Sequence, residues 1–183
     1  TAVEIQPLGA EQINAAIEYN SLSERLTAVN ADLKELKGIV PFGCFDVVTM
    51  NPPYKASGAG IESRSSADKI ARHETMCLLG DICQTAKKLL NFGGRLCMCI
   101  RPERTAELIC EMHSAGLEPK RMKFVSKCPG KAPWLVLIEG RRGGKTGITV
   151  EPELFVHGAD GGYSDEMKKI YGDYLLENRG ENS

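Results

Sequence analysis

The sequence predicts an α/β protein built on a mostly parallel sheet, with helices on both faces and an antiparallel hairpin at its C-terminal edge. Three observations carry that expectation. Short apolar segments alternate with stretches of helical periodicity through most of the chain, turn residues punctuate the joints, and the last two strand-like segments follow one another with no helix between them. Strands separated by helices lie parallel because the crossover travels back along a face of the sheet, whereas a short connection forces antiparallel neighbours.

The elements justify this in order. Ala2-Val3-Glu4-Ile5 reads as a strand, broken by Gln6-Pro7-Leu8-Gly9 before a helical pattern over residues 10–19. Residues 25–29 are again strand-like, ending at Asn30-Ala31-Asp32-Leu33, and residues 34–36 begin a short helix or turn. Phe45-Asp46-Val47-Val48-Thr49-Met50 is a third strand, stopped by Asn51-Pro52-Pro53-Tyr54 because a proline offers no N–H to a ladder. Residues 55–72, rich in Ser, Gly and charge, predict an exposed loop. Over residues 73–90 the apolar positions Met76, Leu79, Ile82, Cys83, Ala86, Leu89 and Leu90 recur at helical spacing, and Gly93-Gly94 is expected to end that helix. A strand over 95–100, a helix over 102–115 closed by Gly116, and strands over 122–125 and 134–139 complete the pattern.

With 183 residues the chain is expected to form one domain, 1–183, around a single core. Its 42% hydrophobic and 26% charged residues are those of an ordinary water-soluble protein. No apolar run reaches the roughly 18 residues that a membrane span needs. No leader-like segment opens the sequence at Thr1, and the seven cysteines form no CxxC pair and have no histidine at ligand spacing. A reduced, cytoplasmic protein without membrane or metal partner is the expectation. The net charge of −1 averages unlike regions: residues 87–145 carry thirteen Lys or Arg against five Asp or Glu, whereas residues 1–50 and 146–183 are acidic. A basic stretch of this kind is either a solvated surface or the footprint of a polyanion.

The segment Asn51-Pro52-Pro53-Tyr54 carries the sharpest chemical signal. In open α/β sheets, ligands bind beyond the carboxyl ends of the strands, where Glu4, Asp32 and Asn51 all lie. A conjugated NH₂ group is a poor nucleophile because its lone pair is delocalised. The Asn51 side-chain oxygen and the Pro52 carbonyl would accept its two N–H bonds and drive the nitrogen toward tetrahedral geometry. Pro53 stiffens that carbonyl, and the Tyr54 ring offers a stacking face to a flat base. The bland alternative is a Pro-Pro turn that merely terminates a strand.

These residues resemble the class I, Rossmann-like amino-methyltransferases that carry the NPPY signature. Ala71-Arg72-His73-Glu74, Gly93-Gly94-Arg95, Glu118-Pro119-Lys120-Arg121, Gly162-Tyr163-Ser164 and Ile170-Tyr171-Gly172 narrow the resemblance to the bacterial tRNA(Val) adenine-N6-methyltransferases, which modify the adenosine next to the anticodon. The resemblance implies S-adenosylmethionine as methyl donor, with Glu4 on its ribose hydroxyls, Ile5 beside its adenine, Asp32 on the adenine amino group, the Leu33 amide at the neighbouring ring nitrogen, and Asn51 at the transferred methyl. It implies tRNA as partner. Lys55, Arg64, Arg72, Lys120, Arg121, Lys123, Arg141 and Arg142 are the candidate RNA contacts. A protein glutamine amide or an rRNA guanine is the alternative acceptor, and a non-catalytic RNA-binding role is the reading from another class. The family's glycine-rich cofactor loop has no counterpart here, since Gly58-Ala59-Gly60 follows NPPY and Gly143-Gly144 lies beyond the last strand. The sequence thus reads as entering at the family's second strand. An upstream segment with the first central strand is expected, between the strands of Glu4 and Val47, and without it cofactor binding should be weak.

Overall fold

The computed structural model describes residues 1–52 and 78–172. In chain order its elements are β1 (Ala2–Glu4), α1 (Pro7–Tyr19), β2 (Ala28–Asn30), a 3₁₀ turn (Leu33–Glu35), β3 (Phe45–Met50), α2 (Leu79–Leu89), β4 (Leu90–Ile100), a second 3₁₀ turn (Pro102–Arg104), α3 (Thr105–Ala115), β5 (Leu117–Ser126), β6 (Leu135–Arg142), β7 (Thr149–Val150), β8 (Leu154–Phe155) and α4 (Asp165–Tyr171).

The strands form two sheets. β1 and β2 pair in parallel, Glu4 opposite Asn30. The larger sheet has the order β3-β4-β6-β5-β7, with β8 also on β5. β3 runs parallel to β4, β6 is antiparallel to both β4 and β5, and β7 and β8 run parallel to β5. The predicted antiparallel hairpin is present on that side of the sheet: β6 inserts between β4 and β5, and only the two-residue strands β7 and β8 line the outer edge of β5. No described strand joins β1 to β3, and the space between them is a cleft of about 610 Å³.

The core explains why the larger sheet holds its shape. Alternation along β4 sends Leu96, Met98 and Ile100 to one face, where they meet Val136 and Ile138 of β6. Leu79, Ile82, Cys83 and Ala86 of α2, with Leu108, Met112 and Ala115 of α3, cover that face. Gly116 closes α3 in the left-handed conformation (φ 78°), which glycine adopts without a Cβ penalty. The opposite face presents Arg95, Cys97, Cys99, Leu137 and Glu139, only partly covered. α4 lies over it, with Lys123 Nζ 2.5 Å from Glu166. A smaller buried cluster, Leu36, Val40 and Leu89, sits under the first 3₁₀ turn.

Several boundaries differ from expectation. α1 begins at Pro7 rather than at residue 10, since proline is suited to the first helical position and Gly9 leaves room for the Glu4 side chain. The second strand is only Ala28–Asn30, because Arg25 and Leu26 donate their N–H groups to the Leu22 carbonyl in a turn. Gly93-Gly94 does not end α2; the helix stops at Leu89 and β4 runs through both glycines. There β4 bulges, Phe45 pairing with Leu90 but Val47 with Arg95, and a Cβ on Gly94 would lie 3.0 Å from the Phe45 carbonyl oxygen. β5 and β6 extend beyond the predicted spans, and β7, β8 and α4 were not legible. The expected loop 55–72 and the first residues of the long helix, 73–77, lie outside the described residues.

Candidate active site

The cleft between β1 and β3 gathers the proposed cofactor residues. Glu4, Ile5, Asp32 and Leu33 line it together with Val47, Thr49 and Met50. The strand ends create this convergence. β1 stops at Glu4, whose carbonyl accepts hydrogen bonds from the Asn30 side chain (2.8 Å) and the Ala31 N–H (3.1 Å), so the tips of β1 and β2 are locked side by side. The Glu4 carboxylate takes the Gln6 N–H at 2.8 Å, at the mouth of α1, which fixes its direction. Asp32 begins the 3₁₀ turn, its Oδ1 accepting the Lys34 N–H at 2.8 Å. Both acids therefore have a local structural task, and each carboxylate retains further lone pairs for a ligand. Ile5, 37% exposed, and Leu33 supply apolar walls.

This donor set fits the adenosine half of S-adenosylmethionine: a carboxylate for a diol, a second for an exocyclic amine, and apolar side chains for a ring. The charged side chains on the cleft wall are Glu4, Asp32 and Lys34, and Lys34 leans toward Asp32 at 3.9 Å. Among the described residues Lys34 is the one cationic side chain on this wall.

Asn51 and Pro52 follow β3 directly, Asn51 exposed and Pro52 buried. Asn51 lines a second cleft of about 580 Å³ on the partly covered sheet face, with Cys97, Cys99, Met122, Leu154, Glu166 and Ile170. Thr49 and Met50 belong to the walls of both clefts, so the end of β3 is their common border. Pro53, Tyr54, Lys55, Arg64 and Arg72 lie outside the described residues. Burial, and then the Glu139 charge, push the Cys97 thiol above its ordinary range, and burial takes Cys83 up to about 12. Among the described residues no group of three or more His, Cys, Asp or Glu could hold a metal ion.

The cations chosen from sequence are dispersed. Arg141 and Arg142 end β6 opposite Arg95 and Leu117, at the end of the sheet remote from Asn51. Arg141 donates to the Gly93 carbonyl at 3.0 Å, Arg142 to that of Leu90, and Lys120 to those of Lys145 (2.8 Å) and Gly147 (2.6 Å). Arg121 and Lys123 line the second cleft, paired with Glu151 at 2.6 Å and Glu166 at 2.5 Å. The Arg121 hydrogen bond holds the Glu151 carboxyl below the usual carboxylate range. Sequence reading passed over residues 127–134, which sit at the Asn51 end with two lysines and the chain's single tryptophan; a Pro- and Gly-rich basic loop was the available signal.

The chain has the fold of the S-adenosylmethionine-dependent methyltransferases. Its structure matches that of a predicted O-methyltransferase from Agrobacterium tumefaciens with a TM-score of 0.71 at 19% identity, over 92% of this chain and 74% of the other. A geranyl diphosphate C-methyltransferase from Streptomyces coelicolor A3(2), in complex with S-adenosyl-L-homocysteine, matches at 0.53 and 12% identity over 76% of this chain and 63% of the other. In sequence the chain is similar to curated proteins named tRNA1(Val) (adenine(37)-N6)-methyltransferase, at 24–28% identity. The relative from Porphyromonas gingivalis is 28% identical over 173 residues, 92% of this chain and 67% of the relative. No family model matches the sequence.

Proposed function

We propose that the protein transfers the methyl group of S-adenosylmethionine to the exocyclic N6 amino group of an adenine in tRNA, the adenosine beside the anticodon of tRNA-Val. The observation that carries this reading is Asn51-Pro52 at the border of two clefts, one bearing Glu4 and Asp32 and the other open on the sheet face. The name shared by the curated relatives supports the acceptor.

The cofactor supplies an electrophilic methyl on its sulfonium. Glu4 would hold the ribose hydroxyls, Asp32 and the Leu33 amide would hold the adenine edge, and Ile5 would pack on the ring. At the acceptor, the Asn51 carboxamide oxygen and the Pro52 carbonyl would each take one N–H of the target amine and so turn its lone pair out of the ring plane. No strong general base would be needed, because the nitrogen becomes acidic only once it carries the methyl and a positive charge, and the proton would then be lost to water. Tyr54 stacks on the base, and an adenine within a helix would first be flipped out. Lys55, Arg64 and Arg72 meet phosphate, while Lys120, Arg121, Lys123, Arg141 and Arg142, which have internal partners, add to the positive potential. This reading places the first central strand of a single methyltransferase domain in the slot between β1 and β3, so that the cofactor would lie at the carboxyl-end mouth of that slot, beside Glu4 and Asp32, and not within it.

The test is mass spectrometry of nucleosides from tRNA incubated with the protein and S-adenosylmethionine. N6-methyladenosine is expected. Methylated guanine, or methyl transfer to a protein glutamine with tRNA unmodified, would sink the proposal.

A further inference from the structure

The sheet directs a second set of side chains to the Asn51 end. β3, β4 and β5 all run toward it, since β3 is parallel to β4 and both β4 and β5 are antiparallel to β6. Residues 127–134 cross that end from β5 to β6. The Trp134 N–H bonds the Val125 carbonyl at 3.0 Å and its carbonyl accepts Arg101 Nη1 at 3.2 Å, so the loop is fastened while Trp134 as a residue remains 44% exposed. Lys127 and Lys131 are exposed, and neither has a carboxylate partner among the described residues.

An aromatic group abuts this loop. The His157 N–H bonds the Lys127 carbonyl at 2.8 Å, the His157 and Tyr163 rings stack with centroids 5.8 Å apart and planes within 3°, and Tyr171 tilts against Tyr163 at 5.4 Å. Tyr163 and Tyr171 are 39% and 37% exposed. Ile170, next to Tyr171, shares a cleft with Asn51, which connects the group to the proposed acceptor site.

We infer that Lys127, Lys131 and Trp134, flanked by the His157–Tyr163–Tyr171 stack, form the rim that seats the unpaired RNA strand on either side of the target adenine. The inference rests on the methyltransferase reading above and adds the residues that position its substrate. Exposed π-faces beside cations without carboxylate partners match a single strand, whose bases stack and whose phosphates need countercharge. The arginines at the opposite end of the sheet match nothing of the kind, being tied to backbone carbonyls.

The experiment measures binding and methylation of a short RNA hairpin with an adenine in its loop, across a salt series, using the full chain. Lys127→Gln with Lys131→Gln should weaken the slope of log affinity against log salt by about 1.4, as for two contacts to a single strand. Trp134→Ala should lose roughly fivefold to a hundredfold in affinity while Trp134→Phe keeps most of it. Lys87→Gln with Lys88→Gln, removing the same charge where α2 enters β4, should leave the slope unchanged. Equal slope changes from both lysine pairs, or Trp134→Ala binding like wild type, would overturn the rim while wild-type methylation left the activity standing. An acidic peptide that displaces the hairpin from Trp134 more readily than RNA does would also overturn it. If the wild-type protein neither binds nor methylates the hairpin, both proposals fall.

Discussion

The β1–β2 pair and the six-stranded block contribute equally to the proposed chemistry and very unequally to stability. β1 and β2 are three residues each, with no fully buried side chain, whereas the block centres on a contiguous core shared by α2, α3, β4, β5 and β6. Glu4 and Asp32 sit on the weakly held side, Asn51 on the margin of the strongly held one. Hydrophobic burial decides where a fold is rigid, while strand-end geometry decides where ligands meet polar groups, and the two need not coincide. Cofactor affinity should therefore respond to changes that barely alter stability, and stability to changes remote from the cofactor.

The largest effect should come from the core. Leu108→Ala, at a fully buried position, should cost about 2–5 kcal/mol of unfolding free energy, whereas Val3→Ala should cost far less. Chemical denaturation of the two variants measures this contrast, and equal losses would erase the distinction between the regions. Asn51→Ala should lower turnover about 100-fold with RNA affinity nearly unchanged, in keeping with the loss of one preorganised partner. Single-turnover kinetics are the check, and near-normal turnover would remove the proposed mechanism. Glu4→Gln keeps an acceptor for the Gln6 N–H and removes the charge. It should weaken S-adenosylmethionine binding roughly tenfold, the lower range for a hydrogen bond to a charged group, without moving the unfolding midpoint. Isothermal titration and a melting curve together test that split.

Smaller effects belong to the ends of helices. Ser164 accepts the Met167 N–H at 3.1 Å as the N-cap of α4, and Ser164→Ala should destabilise that helix locally by about 1 kcal/mol, visible as faster amide exchange over 165–171. The smallest is a pH effect. The Arg104 hydrogen bond lowers the Glu107 carboxyl below its ordinary value. A depressed folded-state value means the pair's contribution is present above the ordinary carboxylate range and fades as pH falls through the lowered one. Arg104→Gln should therefore reduce stability slightly near neutrality and not in strong acid, a difference measured by acid titration of the two proteins.

The sequence by itself determined the alternation that makes a parallel sheet, the abrupt end of β3 at Asn51-Pro52, and the acids at the strand tips. Those are local signals: period, proline and position relative to an apolar run. Tertiary structure decided the rest. The place of β6 between β4 and β5 depends on which edge is free once α3 has packed. The bulge at Gly93-Gly94 depends on the close approach of Phe45 across the ladder, which no single segment encodes. Charge showed the same division. The surplus of Lys and Arg over 87–145 is real in composition, yet antiparallel pairing sends Arg141 and Arg142 to one end of the sheet and the loop of Lys127, Lys131 and Trp134 to the other. A strand carries a residue to one end or the other according to its direction, and direction is a property of the assembled sheet.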